Sequence, residues 1–322
     1  MPRPTSSTTI QRPDLAAIAY EYYLEASQRG FIGLTLLPIF ETALQASDYP
    51  IIPIEALLKI QDTARSPRGG YNRSDYEFET GTYACTEQGW EELVDDVESK
   101  LYRRFFDAEE VAVMRAVDII LRKQEYRIAA KLMNTTNITG TSNVAIEWTT
   151  PATATPRANV NTAKLAMRAA SGLTPNKIAM SKKVFDTVLI TSEIKDALKY
   201  TNPIEIGGEE AQRRILGQYF GVEEVLVGNA IRDSAKKGQS FSIADLWDDE
   251  YILLAAVSSG GQNLKEPVLG RTFLWTEDSP QNLVTEQYRV ESNRSNVYRC
   301  RQNVDECFIF TGAGYLLGNI CA

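Results

Sequence analysis

The sequence predicts an α+β chain: two compact parts accompanied by two extensions that have nothing of their own to fold against. Three observations predict it. Residues 74–99 are strongly acidic and begin with a polar/apolar alternation, which reads as an extended ribbon. Residues 107–134 carry one uninterrupted amphipathic pattern, far longer than the ~11–12 residues of an average helix. Residues 176–257 alternate strand and helix patterns, and a run of strands closes the chain.

Composition bounds the chemistry before any element is placed. The 322 residues suffice for two domains or one large one, and 43% hydrophobic with 24% charged residues is ordinary for a chain with a sizeable core. There is no histidine. That excludes a Ser/His/Asp triad, a Cys/His pair and any histidine-containing metal site. Proton chemistry would fall to carboxylates, Lys, Tyr or Cys with shifted pKa values, so the expectation is a protein that is not an enzyme and uses no cofactor. A net charge of −8 suits poorly a binder that neutralises phosphates along nucleic acid. The polar N-terminus lacks the apolar core of a secretory signal. The longest apolar stretches, residues 31–40 and 251–257, fall short of the ~18–20 residues of a membrane helix. A chain made and folded in a cytosol is expected. The cysteines are Cys85, Cys300, Cys307 and Cys321, without a CxxC pair, so a zinc site is not expected and they read as buried or free thiols.

In chain order, residues 14–29 read as an amphipathic helix opened by Asp14 and stopped by Gly30. Pro38, Pro50 and Pro53 keep the next stretch extended, and the region reads as an arm lying on something else. The basic stretch RSPRGGYNR leads into nine acids without a base: Asp75, Glu77, Glu79, Glu87, Glu91, Glu92, Asp95, Asp96 and Glu98. The alternation around Gly81 suggests a two-stranded ribbon with its turn there. An isolated hairpin is marginal in water, so this one should lie on a cationic surface. In the long helix Asp107 can cap the start, and Glu109 and Glu110 suit the first turn. Met114, Val117, Leu121, Ile128 and Leu132 form its apolar stripe, while Arg115, Lys123, Arg127 and Lys131 lie elsewhere or at its edge. A strand is expected at residues 143–148 and a shorter helix at 161–172, with a change of domain near Pro175. Strands come next at 177–181, 222–228 and 251–257, and helices at 182–190, 192–199 and 209–220. The last fifty residues read as strands, with a hairpin near residues 291–296.

Familiar motifs are weak. GAGYLLG lacks the strand–loop–helix context of a phosphate loop and sits at the chain end. The helix after Gly207 and Gly208 opens with acids, which repel phosphate. Asp245, Asp248, Asp249 and Glu250 cluster without the spacing of a calcium loop and read as a charged turn.

Four segments, in order and spanning about 150 residues, resemble one family. They are EYRIAAKLMN at the end of the long helix, NKIAMSKKVFDTVLITSEIKDALKY, ILGQYFGVEEVLVGNA and DLWDDEYILLA. Together they resemble the major capsid proteins of tailed double-stranded DNA bacteriophages, with the Hong Kong 97-like fold. The resemblance implies an N-terminal arm over residues 1–58 and an extended loop over 59–89. It implies a peripheral domain over 90–174 and 271–305, containing a spine helix at 107–134. An axial domain would cover 175–270, completed by 306–322.

The function this implies is self-assembly into hexamers and pentamers of an icosahedral head enclosing double-stranded DNA, held non-specifically. The other expected partners are scaffolding, portal and cement or decoration proteins, with no membrane. The place is the virion, assembled in the host bacterial cytoplasm. An encapsulin-type compartment shell is the alternative within the same fold, and an α/β enzyme the alternative outside it. In this frame the acidic Asp75, Glu77 and Glu79 would meet Arg122, Lys123, Arg127 and Lys131 on a neighbour's spine helix. Cys85, Cys300, Cys307 and Cys321 would be candidates for bridges between subunits, because disulfides persist in the oxidising medium of a released particle.

Overall fold

The structure, a computed structural model, describes residues 10–24, 30–54, 58–73, 78–198, 208–236, 238–258, 260, 262, 264–280 and 282–321. The chain begins with β1 (Ile10–Gln11), α1 (Pro13–Leu24), the short α2 (Gly33–Leu36), β2 (Ile39–Thr42) and β3 (Ala46–Ile51). Then come β4 (Glu79–Ala84), β5 (Thr86–Asp95), α3 (Asp96–Tyr102), α4 (Ala108–Leu132), β6 (Thr141–Asn143) and α5 (Pro156–Ser171). An alternating section is next: β7 (Lys177–Ser181), α6 (Lys182–Ile190), α7 (Ser192–Leu198), α8 (Glu209–Phe220) and β8 (Glu224–Gly228). A small hairpin, β9 (Ile231–Asp233) and β10 (Ile243–Asp245), precedes β11 (Ile252–Ala255), β12 (Gly270–Trp275), β13 (Val284–Val290), β14 (Ser295–Phe308) and β15 (Gly314–Gly318).

Two sheets organise these elements. One has the order β1–β13–β14–β12–β2, with β5 also paired to β14. Since Val304 pairs with both Leu274 and Thr86, β5 lies on the edge of β14 opposite β12. The second has the order β6–β15–β11–β7–β8, with β7 and β8 parallel. The chain passes from the first sheet to the second after Phe308. The expected continuous closing strand is broken by a 3-10 turn at Thr311–Ala313, and β15 enters between β6 and β11. Its five residues are all buried, so GAGYLLG forms a sheet core.

The long helix α4 joins the two halves. Asp107 caps it, accepting from the Glu109 N–H at 2.9 Å. Its 25 residues span about 37 Å. The first half, Val113 to Leu121, packs with Leu15 and Ala19 of α1 and Val94, Tyr298 and Cys300 of the first sheet. The last turns, Ile128, Ala129 and Leu132, pack with Leu36 and Leu37 of the arm and with Leu253 and Leu316 of the second sheet. The helix pattern around residues 161–172 begins earlier, at Pro156, and ends at Gly172 in the left-handed region, φ 73°. Expected in the peripheral domain, it packs instead on the second sheet, where Val160, Ala163 and Met167 meet Ile178 and Leu254. The strand expected over 143–148 stops at Asn143. Trp148 is instead fully buried in the second sheet's core, anchored by a backbone bond to Ile320.

The acidic ribbon differs most from expectation. Gly81 is not a turn. It lies within β4, which pairs antiparallel with β3 of the arm, Gly81 facing Tyr49. The Tyr49 ring occupies the space of a side chain there: a Cβ at residue 81 would sit 2.4 Å from Cζ. The acidic half beyond Cys85 is an integral strand, β5, paired with β14 over ten residues.

Candidate assembly surfaces

Asp75 and Glu77 lie outside the described residues, and Glu79 is exposed at the start of β4. The cations required by the rest of the acidic window come from the same chain. Arg299 of β14 lies 2.6 Å from Glu91, and Arg289 lies 2.8 Å from Asp96. Arg115 of α4 lies 3.6 Å from Glu92. Arg289 holds the Asp96 carboxyl below its ordinary value. These pairs sit largely at the surface and add little stability; the Arg299–Glu91 pair spans the β14–β5 ladder and favours that pairing.

The four spine cations divide. Arg127 forms a two-pronged bond to Glu306 of β14, at 2.7 and 3.2 Å, and also donates to Gln88. Glu306 is 4% exposed. Lys131 donates to the Glu306 carbonyl and lies 4.0 Å from Asp305. These two residues, expected to serve a neighbour, tie α4 to the chain's own sheet, because β14 runs directly beneath that helix face. Arg122 pairs with Asp118 one turn earlier and donates to the Ile231 carbonyl of β9. Lys123 is exposed, with its ammonium 5.0 Å from the Tyr126 ring centre, and has no carboxylate partner among the described residues.

A buried knot escaped the sequence reading. Glu125, 3% exposed, accepts from the Ile32 N–H at 2.8 Å, the Gly33 N–H at 2.9 Å and the Trp247 indole N–H at 2.8 Å. One carboxylate thus joins the arm, α4 and the loop before β11. Burial pushes its pKa up, against the opposing pull of these three donors. A Cβ at residue 33 would lie 2.6 Å from Glu125 Oε2, so glycine is required beside it. The available signal was an acid between Leu121 and Ile128 on an otherwise apolar stripe.

The cysteines also read differently in three dimensions. Cys85, Cys300 and Cys321 are buried and Cys307 is half-buried. Cys85 and Cys300 lie inside the chain's own cores, so neither presents sulfur to a neighbour unless the core opens. Burial pushes both thiols up to about 11; burial and the nearby Asp305 push Cys307 up to about 12. Raised from the ordinary 9.0 to about 11, Cys85 and Cys300 hold far less of the reactive thiolate than a free thiol. In the native protein at pH 8, iodoacetamide should label these thiols only slowly, with rapid labelling after denaturation, and non-reducing electrophoresis should show monomer bands. Fast native labelling or reducible higher bands would contradict this burial.

Two surfaces are left open. Residues 58–73 are exposed throughout and carry Lys59, Arg65, Arg68 and Arg73 against Asp62 alone. Within this basic loop Arg65 donates to the Gly69 carbonyl at 2.8 Å and Asn72 to the Asp62 carbonyl at 3.0 Å, and at its foot Leu58 lies against Gly172. The second open surface is the outer edge of β5, which has a ladder partner on one side only among the described residues. No described helix is long and apolar enough to cross a membrane.

No family model and no curated protein matches the chain. Solved structures do. A phage-related protein from Bordetella bronchiseptica RB50 is 21% identical, with 96% of this chain and 97% of that one covered and a TM-score of 0.71. The capsid of cyanophage P-SCSP1u is 12% identical over 88% and 86%, with a TM-score of 0.52. The holo-SrpI encapsulin of Synechococcus elongatus PCC 7942 is 11% identical over 89% and 86%, with a TM-score of 0.53. Two sheets bridged by one long helix, with an arm and a protruding basic loop, give this chain the Hong Kong 97-like fold of shell-forming capsid proteins.

Proposed function

We propose that the chain is a major capsid protein of a tailed double-stranded DNA phage or prophage, assembling with itself into the hexamers and pentamers of an icosahedral head. The first sheet with α4 is its peripheral part and the second sheet its axial part. One observation carries the reading: the same chain holds a long exposed basic loop and an acidic strand whose outer edge has no ladder partner among the described residues. Each is a poor solution for a monomer, and each offers what the other lacks. An open strand edge is a template for a further chain, and its acids select a basic one. In the shell, residues 59–73 of one copy lie across β5 of the next. Exposed Glu79, with Asp75 and Glu77, meets Lys123, the spine cation without an acid beside it among the described residues. Symmetric closure from one repeated contact is the general habit of such subunits.

Scaffolding, portal and cement proteins, packaged DNA and assembly in a bacterial cytoplasm belong to this reading. The encapsulin reading is the second, supported by a TM-score indistinguishable from that of the cyanophage capsid. Negative-stain microscopy of the full-length expressed chain should show closed shells tens of nanometres across; a monodisperse monomer would overturn both readings. Nucleic acid inside particles from the natural source supports the phage reading, and an enzyme cargo supports the encapsulin one.

A further inference from the structure

Three side chains from two distant elements form a cationic patch on the outer side of α4. Lys123 of α4 and Arg232 of β9 each hold their charge 5.0 Å from the ring centre of Tyr126. All three residues are exposed. The β9–β10 hairpin brings them together because it is fastened to α4 at both ends. Arg122 donates to the Ile231 carbonyl, and Trp247, two residues beyond β10, donates its indole N–H to Glu125 at 2.8 Å. Arg232 lies next to the first anchor and across the hairpin from the small Ala244. Nothing among the described residues neutralises the patch. Arg122 is paired with Asp118 at 2.9 Å, whereas Lys123 and Arg232 have no carboxylate partner there. A tyrosine face attracts a cation and leaves its charge in place. The ring also sets the spacing, since two charges each 5.0 Å from its centre stand no more than about 10 Å apart.

A ligand for this patch carries two negative charges at matching separation. Alternate side chains of an extended segment project from one side about 6.5–7 Å apart, so an acid–x–acid segment fits. The chain has three acids in that pattern, Asp75, Glu77 and Glu79, with Tyr76 and Phe78 between them. In its own chain Glu79 stands in the β3–β4 ribbon opposite Ile51 and has no ion pair among the described residues. We propose that Lys123, Tyr126 and Arg232 form a cradle for an acid–x–acid segment, and that Glu77 and Glu79 of a second copy occupy it. This contact rests on the shell reading and deepens it: the segment is recognised by two cations on two elements, held in place by one ring, and not by Lys123 alone. Nucleic-acid phosphates are the other polyanion of suitable charge. The net charge of −8 opposes them, and the alternating acids of the same sequence favour the protein segment.

In the full-length chain, Lys123→Glu/Arg232→Glu should lower the yield of shells at least about ten-fold. Glu77→Lys/Glu79→Lys should do the same, because each double reversal turns two attractions into repulsions at every repeated contact. All four changes together should bring the shells back. Arg232→Glu alone should lower the yield, as Lys123→Glu does. As a second measurement, chains carrying Arg232→Cys co-assembled with chains carrying Glu77→Cys should give a dimer under mild oxidation that reduction removes. Neither variant alone should give it, against a background of buried or half-buried native thiols. Shells at normal yield from Arg232→Glu, a four-fold reversal no better than the doubles, or mixed shells without the cross-link overturn the cradle and leave the shell reading standing. Normal shells that hold less nucleic acid would assign the cations to phosphates and overturn it equally. A wild-type chain that forms no shells overturns the shell reading instead.

Discussion

Replacing Glu125 by alanine should cost about 3–6 kcal/mol, enough to unfold much of the protein. The change strands three buried donors, the Ile32 and Gly33 N–H groups and the Trp247 indole. Each buried donor left without an acceptor costs about 1–3 kcal/mol, and donors sharing one acceptor do not add fully. The loss is large against a net stability of about 5–15 kcal/mol. Trp247→Phe removes one donor and leaves the other two satisfied, so it should cost only about 1–2 kcal/mol. Glu125→Gln keeps one acceptor oxygen and falls between. The ranking is read from urea midpoints at fixed protein concentration. An alanine variant within about 1 kcal/mol of wild type would mean that the knot does not hold the arm to the helix. The pH dependence has a definite sign. Burial raises the pKa of Glu125 in the folded chain above its ordinary 4.5. The folded form therefore takes up its proton at higher pH than the unfolded one. The stability from this linkage is whole below about 4.5 and is lost as pH rises through the folded value. The Tm of wild type relative to Glu125→Gln should decline over that interval, and a flat difference would contradict the shift.

The difference between legible and illegible elements has a physical basis. The long helix could be read because its cap, its first-turn acids and its apolar stripe are all local in sequence. The same holds for the strand–helix alternation from Lys177 onward, where nearly every boundary falls within a residue or two. Pairing partners are not local. Alternation around Gly81 is compatible with a turn or with a strand interior, and the Tyr49 ring, thirty-two residues earlier, settles it. The nine-acid window correctly demanded cations, but charge alone does not say whose. Arg289 and Arg299 lie about two hundred residues downstream and become neighbours only through the β14–β5 ladder. The cysteines were legible as buried or free thiols, but which of them is buried depends on the strands that cover it. Glu125 announces itself only as a misfit on an apolar stripe, and its three donors come from two distant loops.

Replacing Arg127 by alanine separates a residue that holds the subunit together from one that serves a neighbour. Its guanidinium meets Glu306 at two points, and that carboxylate is 4% exposed. Removing one partner of a buried pair leaves the other charge uncompensated, at a cost of about 3–5 kcal/mol. Arg127 keeps some solvent contact, 22% of its side chain, which places the expected loss at the lower end, near about 3 kcal/mol. Replacing both partners by apolar residues, as in Arg127→Met/Glu306→Leu, removes the unpaired charge and should recover most of that loss. The chain's own unfolding therefore carries the signature: a low urea midpoint for the single variant and a near-normal one for the double. A cation serving only a neighbour behaves otherwise. Lys123→Glu, at an exposed position without an acid beside it, should leave the unfolding midpoint within about 0.5 kcal/mol of wild type and lower the yield of shells. If Arg127→Ala instead leaves unfolding unchanged and reduces only assembly, then the Arg127–Glu306 pair is not what fixes α4 on β14. The apolar stripe, Val117 and Leu121 on the first sheet and Ile128 and Leu132 on the second, would then carry that contact together with the Glu125 knot.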